Sequence, residues 1–192
     1  MPLIAVIVLL AGCATTTAGR PSPAAGIPTR TTPARAAAPA PSSRPTRVAR
    51  VTAACPLLSP DELKSLLGSG ASRTKLTAVE DKPDRTGGYP SYNCEYGANG
   101  RYPFVLGISV IPDPGYTPKH AIHDIAVASK VATHRVTGVG ADGVFYTLPD
   151  GVSLLAASTQ FRGETRTVIF SAPVIVPERK FIEVAKLVIS RV

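Results

Sequence analysis

The side chains in this sequence that could do chemistry are its three cysteines, its three histidines and the residues of one glycine-rich segment. Cys13 follows an unbroken apolar run, residues 3–11, through Leu10-Ala11-Gly12-Cys13. Small side chains at the two positions before a cysteine let an extended chain enter a peptidase groove. The thiol that follows is a nucleophile able to accept a diacylglyceryl group. Cys55 and Cys94 form an even pair, which in an exported chain reads first as a structural disulfide. A redox pair is the rival reading, although no C-x-x-C arrangement activates either thiol. His120, His123 and Asp124 fall on one predicted helix with His134 just beyond it. A zinc site needs three or four converging ligands with supporting hydrogen bonds. The spacing supplies no such set, so solvated side chains, no metal and no cofactor are expected.

Other motifs point away from catalysis. Gly138-Val139-Gly140-Ala141-Asp142-Gly143 matches G-x-G-x-x-G, but the dinucleotide fingerprint runs from a strand into a helix. Here the segment follows a predicted helix and enters a predicted strand, which reads as a turn. No G-x-S-x-G elbow occurs, and the acidic residues form no pair placed for glycoside hydrolysis. Tyr89, Tyr92, Tyr96, Tyr102 and Tyr116 cluster in the middle of the chain. They read as packing around the cysteine pair, with a ligand-stacking groove as the alternative.

The segment around Cys13 resembles the lipobox of bacterial lipoproteins. The apolar run is far shorter than the roughly 20 residues of a membrane-spanning helix and suits a signal-peptide core. No Lys or Arg precedes it, which implies a translation start upstream of Met1. Residues 1–12 are therefore expected to be removed, leaving Cys13 with palmitate-type acyl chains on the outer face of a cell membrane. Two or more chains hold a protein stably in the bilayer. Residues 13–53 read as a tether rich in Pro, Ala, Thr and Ser, too poor in large apolar side chains to offset the entropy of ordering. Between residues 14 and 52 lie six arginines, Arg20, Arg30, Arg35, Arg44, Arg47 and Arg50, and no acid. The other fifteen Lys and Arg sit beside all thirteen Asp and Glu, so the high isoelectric point belongs to the tether. A basic tether favours anionic lipid or wall polymer, and export removes nucleic acid from consideration.

Residues 54–192 carry the pattern of a folded domain. Ser59-Pro60-Asp61-Glu62 is an N-cap, a proline at the first helical position and a capping-box glutamate; Leu58 and Leu63 form a hydrophobic staple, and Gly68 ends the helix. Strands are predicted near 75–80, 92–96 and 104–111, a helix from Thr117-Pro118 to about residue 131, strands at 144–148, 152–161 and 165–171, and a last helix over 177–191. The fold class is α+β: a mostly antiparallel sheet with its helices packed on one face. The element order resembles a duplicated α-β-β-β unit followed by a C-terminal helix.

Cys55-Pro56-Leu57-Leu58-Ser59-Pro60-Asp61-Glu62-Leu63, Cys94-Glu95-Tyr96 and the segment from Val136 to Tyr146 together resemble a domain of unknown function common in lipoproteins and secreted proteins of actinobacteria. The resemblance spans residues 54–191 and implies surface exposure and a Cys55–Cys94 bridge; it implies no reaction. The expected function is a non-enzymatic, lipid-tethered module binding an envelope lipid, glycan or protein. The alternative is a hydrolase or metal-dependent enzyme acting on wall material through its histidines.

Overall fold

Capping chemistry sets the first helix where the sequence places it. In α1 (Pro60–Leu67) the Ser59 hydroxyl accepts the Glu62 N–H, and the Glu62 carboxylate accepts the Ser59 N–H at 2.9 Å. The staple leucines Leu58 and Leu63 are fully buried, and Gly68 stops the helix at φ 66°. The computed structural model describes residues 47–68 and 75–192. The expectations for the signal segment 1–12, Cys13 and the tether up to residue 46 fall outside the described residues.

Beyond α1 come β1 (Thr77–Glu80), β2 (Ser91–Ala98), β3 (Arg101–Ile111), α2 (Pro118–Ser129), β4 (Thr133–Arg135), β5 (Asp142–Thr147), β6 (Val152–Phe161), β7 (Glu164–Pro173) and α3 (Glu178–Ile189). The seven strands form one antiparallel sheet in the order β1-β2-β3-β7-β6-β5-β4. The fold is thus α+β. Two meanders meet where β3 pairs with β7, with Leu106 opposite Phe170 and Ile108 opposite Val168.

The helices do not share a face, contrary to expectation. On one side α1 and α3 bury Leu63, Phe181, Val184 and Val188 against Leu106, Ile108, Leu155, Ala157, Val168 and Phe170. On the other, α2 packs Ile122, Ile125 and Ala126 against Val144, Tyr146, Leu154, Ala156 and Ile169. Strands β6 and β7 must therefore present apolar side chains both ways, and Leu154-Leu155-Ala156-Ala157 and Val168-Ile169-Phe170 do so. A strand covered on both faces reads as a continuous apolar run, whereas one covered on a single face alternates. The same placement argues against a symmetric duplication. Two copies joined antiparallel through their third strands would be related by an axis normal to the sheet. That operation keeps a helix on its own face, yet α1 and α2 lie on opposite ones. The second half also holds the extra strand β4.

The domain begins earlier than residue 54. Val51 is 4% exposed, and the Val48 N–H donates to the Arg191 carbonyl at 2.7 Å. The cause is Arg166, fully buried on β7, whose guanidinium donates to the carbonyls of Val48 and Ala49 at 2.8 and 2.9 Å and to Glu164. A buried guanidinium requires such partners. The last residues of the expected tether supply them.

Candidate functional site

The residues singled out by the sequence do not gather into one constellation. Cys55 and Cys94 are joined in a disulfide with Cα atoms 5.0 Å apart. Cys55 opens a short 3-10 turn, and Cys94 is buried in β2. Glu80 approaches the same pair, but its oxygens accept the N–H groups of Ala54 and Cys55 at 2.7 and 2.6 Å, capping the turn. This is the group among the described residues in which three His, Cys, Asp or Glu side chains stand close enough for a shared ion. Both of its sulfurs are tied up in the disulfide.

The histidines separate. His120 is the third residue of α2, and its Nδ1 accepts the Thr117 N–H at 3.5 Å in a capping box. His123 is exposed on the same helix. His134 sits on β4, its Nε2 3.0 Å from Glu178 and its ring against Phe145. The glycine segment joins β4 to β5 as a packed turn. Gly140 has φ 82°, and a Cβ there would stand 2.6 Å from the Ser158 carbonyl oxygen. Its role is close approach to β6.

The tyrosines split between the two faces. Tyr92 and Tyr96 belong to the α1/α3 core, where the Tyr96 hydroxyl donates to the Leu58 carbonyl at 2.6 Å. Burial raises the Tyr96 pKa above the usual phenol range. Tyr116 does something different. It helps line a cleft of about 280 Å³ between α2 and the open part of the sheet, walled also by Ser109, Ile111, Ala121, Ile125 and Ile169.

The cleft exists because α2 is narrower than the sheet it covers. It packs on β5, β6 and β7 and stops short of β3. The outward residues of β2 and β3, among them Asn93, Glu95, Val105, Gly107 and Ser109, remain half-buried beside it. Gly107 leaves a dent under the Asn93 side chain, whose Oδ1 would be 3.1 Å from a Cβ at that position. At the mouth the Tyr116 hydroxyl donates to Asp124 Oδ2 at 2.7 Å. Partial burial first, then the Asp124 carboxylate, push the Tyr116 phenol up to about 12, so it stays a neutral donor in ordinary conditions. Chemically the cleft offers apolar surface from Ile111, Ile125 and Ile169, with Ser109, Thr167, Asp124 and the Tyr116 hydroxyl as the polar groups of its lining. Sequence reasoning flagged Tyr116 and Asp124 without linking them. Ile111, Ile125 and Ile169 come from three separate elements, so no local pattern announces their meeting.

No protein-family model, curated protein or solved structure matches this chain.

Proposed function

We propose that this protein is a non-catalytic interaction module held outside a bacterial membrane by lipid on Cys13, and that the α2 cleft receives an apolar anchor from a protein partner. The observation that carries the reading is the half-covered second face of the sheet. Stable binding surfaces place an apolar pocket at the centre and polar groups around it, and a few anchors in such pockets carry most of the affinity. The cleft offers the apolar pocket, with the Tyr116–Asp124 pair at its mouth. Its volume lies just below the roughly 300–1,000 Å³ of sites that engulf a small ligand, and it opens onto a broad shelf of β2 and β3. A side chain inserted from a flat partner surface fits it better than an enclosed lipid.

The lipobox resemblance of Cys13, the basic tether and the likeness to an actinobacterial lipoprotein domain support the placement in the envelope. A hydrolase or metal enzyme would need groups that converge, and His120, His123 and His134 occupy three separate settings.

A photo-crosslinking side chain placed at Ala128, on the cleft wall, tests the reading in living cells. A discrete crosslinked protein is expected from this position and not from exposed Arg179 on α3, and I125D should abolish it. Equal labelling from both positions, or a product indifferent to I125D, removes the cleft as the binding site. Mass spectrometry of the mature chain, showing Cys13 with or without a diacylglyceryl group, tests the anchor separately.

A further inference from the structure

A second cleft, of about 190 Å³, lies on the α1/α3 side at the opposite end of the sheet from the β2–β3 turn, and its rim is cationic. Its floor is apolar: Val51, Tyr92 and Val110 are each less than 10% exposed. Arg50 and Arg85 stand at the rim, both exposed, and among the described residues neither side chain has an ion-pair or hydrogen-bond partner. The carboxylate lining the cleft, Glu164, is already engaged, its Oε2 accepting both Nε and a terminal nitrogen of the buried Arg166 at 3.1 and 2.8 Å. Two acids lie in neighbouring turns and are turned to their own backbone: Asp84 Oδ1 accepts the Thr86 N–H, and Asp113 Oδ1 accepts the Gly115 N–H, each at 2.8 Å.

More positive charge surrounds this end. Arg47 and Arg162 stack on the ring of Phe161, at 5.6 and 5.3 Å from its centre, beside the buried Arg166, whose charge Glu164 matches. Arg162 does so from a hairpin-turn position with φ 53°, where Asn or Gly would be the easier choice. Unpaired guanidiniums facing one concavity repel each other and raise the local positive potential. A tetrahedral oxyanion with several acceptor oxygens relieves that repulsion through forked N–H···O bonds, the geometry arginine serves best.

We infer that the cleft between Arg50 and Arg85 is a binding site for a phosphoryl group. The site is independent of the α2 cleft, on the other face of the sheet. The phosphoryl group could be carried by an anionic phospholipid or by a soluble phosphate, and the chemistry of recognition is the same.

Titration of the full chain with inorganic phosphate, followed by NMR of the Tyr92 ring, is expected to saturate. R50Q/R85Q should weaken that binding at least tenfold while R50K/R85K retains part of it. R30Q/R35Q, which removes the same charge from the tether, should leave it unchanged. In parallel, binding to phosphatidylglycerol vesicles over phosphatidylcholine vesicles, lost more in R50Q/R85Q than in R30Q/R35Q, assigns the lipid headgroup as source. Saturable phosphate binding without that vesicle effect assigns a soluble one. If R50Q/R85Q and R30Q/R35Q behave alike in both titrations, the site does not exist.

Discussion

The two faces of the sheet are built for different ends. On the α1/α3 face the core is continuous: Phe181 meets Phe145 and Phe170 edge-on at 5.3 and 5.4 Å, Leu155 and Val168 are fully buried, and the disulfide, the buried Arg166 and the Arg191–Glu62 pair close the margins. On the α2 face a single helix covers part of the sheet, with Val127 64% exposed on its outer side and a cleft at its edge. Burial of apolar area is the main favourable contribution to folding. More of the buried apolar area lies on the α1/α3 face, while the α2 face holds the smaller cluster of Ile122, Val144, Tyr146 and Ala156. That division leaves part of the α2 face open beside a cleft.

The comparison breaks most sharply at Phe181. Phe181→Ala removes a ring with no solvent exposure and should cost about 3–5 kcal/mol in urea denaturation. The half-buried Ile125→Ala on α2 should cost roughly 1 kcal/mol. Equal losses would mean that the two faces share the load. Next comes the disulfide, which closes a separation of 39 residues and ties the 3-10 turn to β2. C55S/C94S should lower stability by roughly 2–4 kcal/mol, and a reductant should do the same to the native chain alone. Insensitivity to reductant would remove the bridge from the list of closures on this face.

A smaller effect separates the faces by pH. Arg191 holds the Glu62 carboxylate in two bonds, 2.6 and 3.0 Å, and with the Ser59 cap pulls its pKa down to about 2 from an ordinary 4.5. Because the folded value is the lower one, the stabilisation is complete above pH 4.5 and is lost as pH falls toward 2. The pair is partly open to water, so screening reduces it to about 1 kcal/mol. Glu62→Gln should lower stability at neutral pH and flatten this acid limb. An acid limb unchanged in E62Q would transfer the effect to other carboxylates.

Much of the α1/α3 face was legible because its signals are local. Ser59, Pro60, Glu62 and the Leu58–Leu63 staple fall within six positions, and each does in the fold what its spacing implies. Strand β3 follows alternation, β6 and β7 are marked by the turns that bound them, and three-residue β4 is too short to show a period. What escaped depends on distance. Arg166 lies between two threonines on a strand and reads as a solvent-facing charge; its acceptors, Val48 and Ala49, are 118 and 117 positions away. For the same reason Val48 and Val51 pass for isolated aliphatics in a basic tether. The second covered face was within reach, since the unbroken run Leu154-Leu155-Ala156-Ala157 does not alternate. The cleft was not, because it is the gap between a helix and a sheet whose relative widths no local pattern encodes.

The finest distinction lies inside the cleft. Tyr116 owes its raised pKa of about 12 first to burial and second to the Asp124 carboxylate that accepts its proton. Its folded value exceeds the ordinary 10, so its contribution to stability is complete below pH 10 and is lost as pH rises through 12. Asp124→Asn removes the smaller influence and leaves the larger. The Tyr116 phenol, followed by its labelled Cζ resonance, should therefore move down toward 10 without reaching it, and stability at neutral pH should change by less than about 0.5 kcal/mol. A fall all the way to 10 would mean that water reaches the ring freely. The α2 face would then present a flat surface in place of a pocket, and a protein anchor would have nowhere to insert.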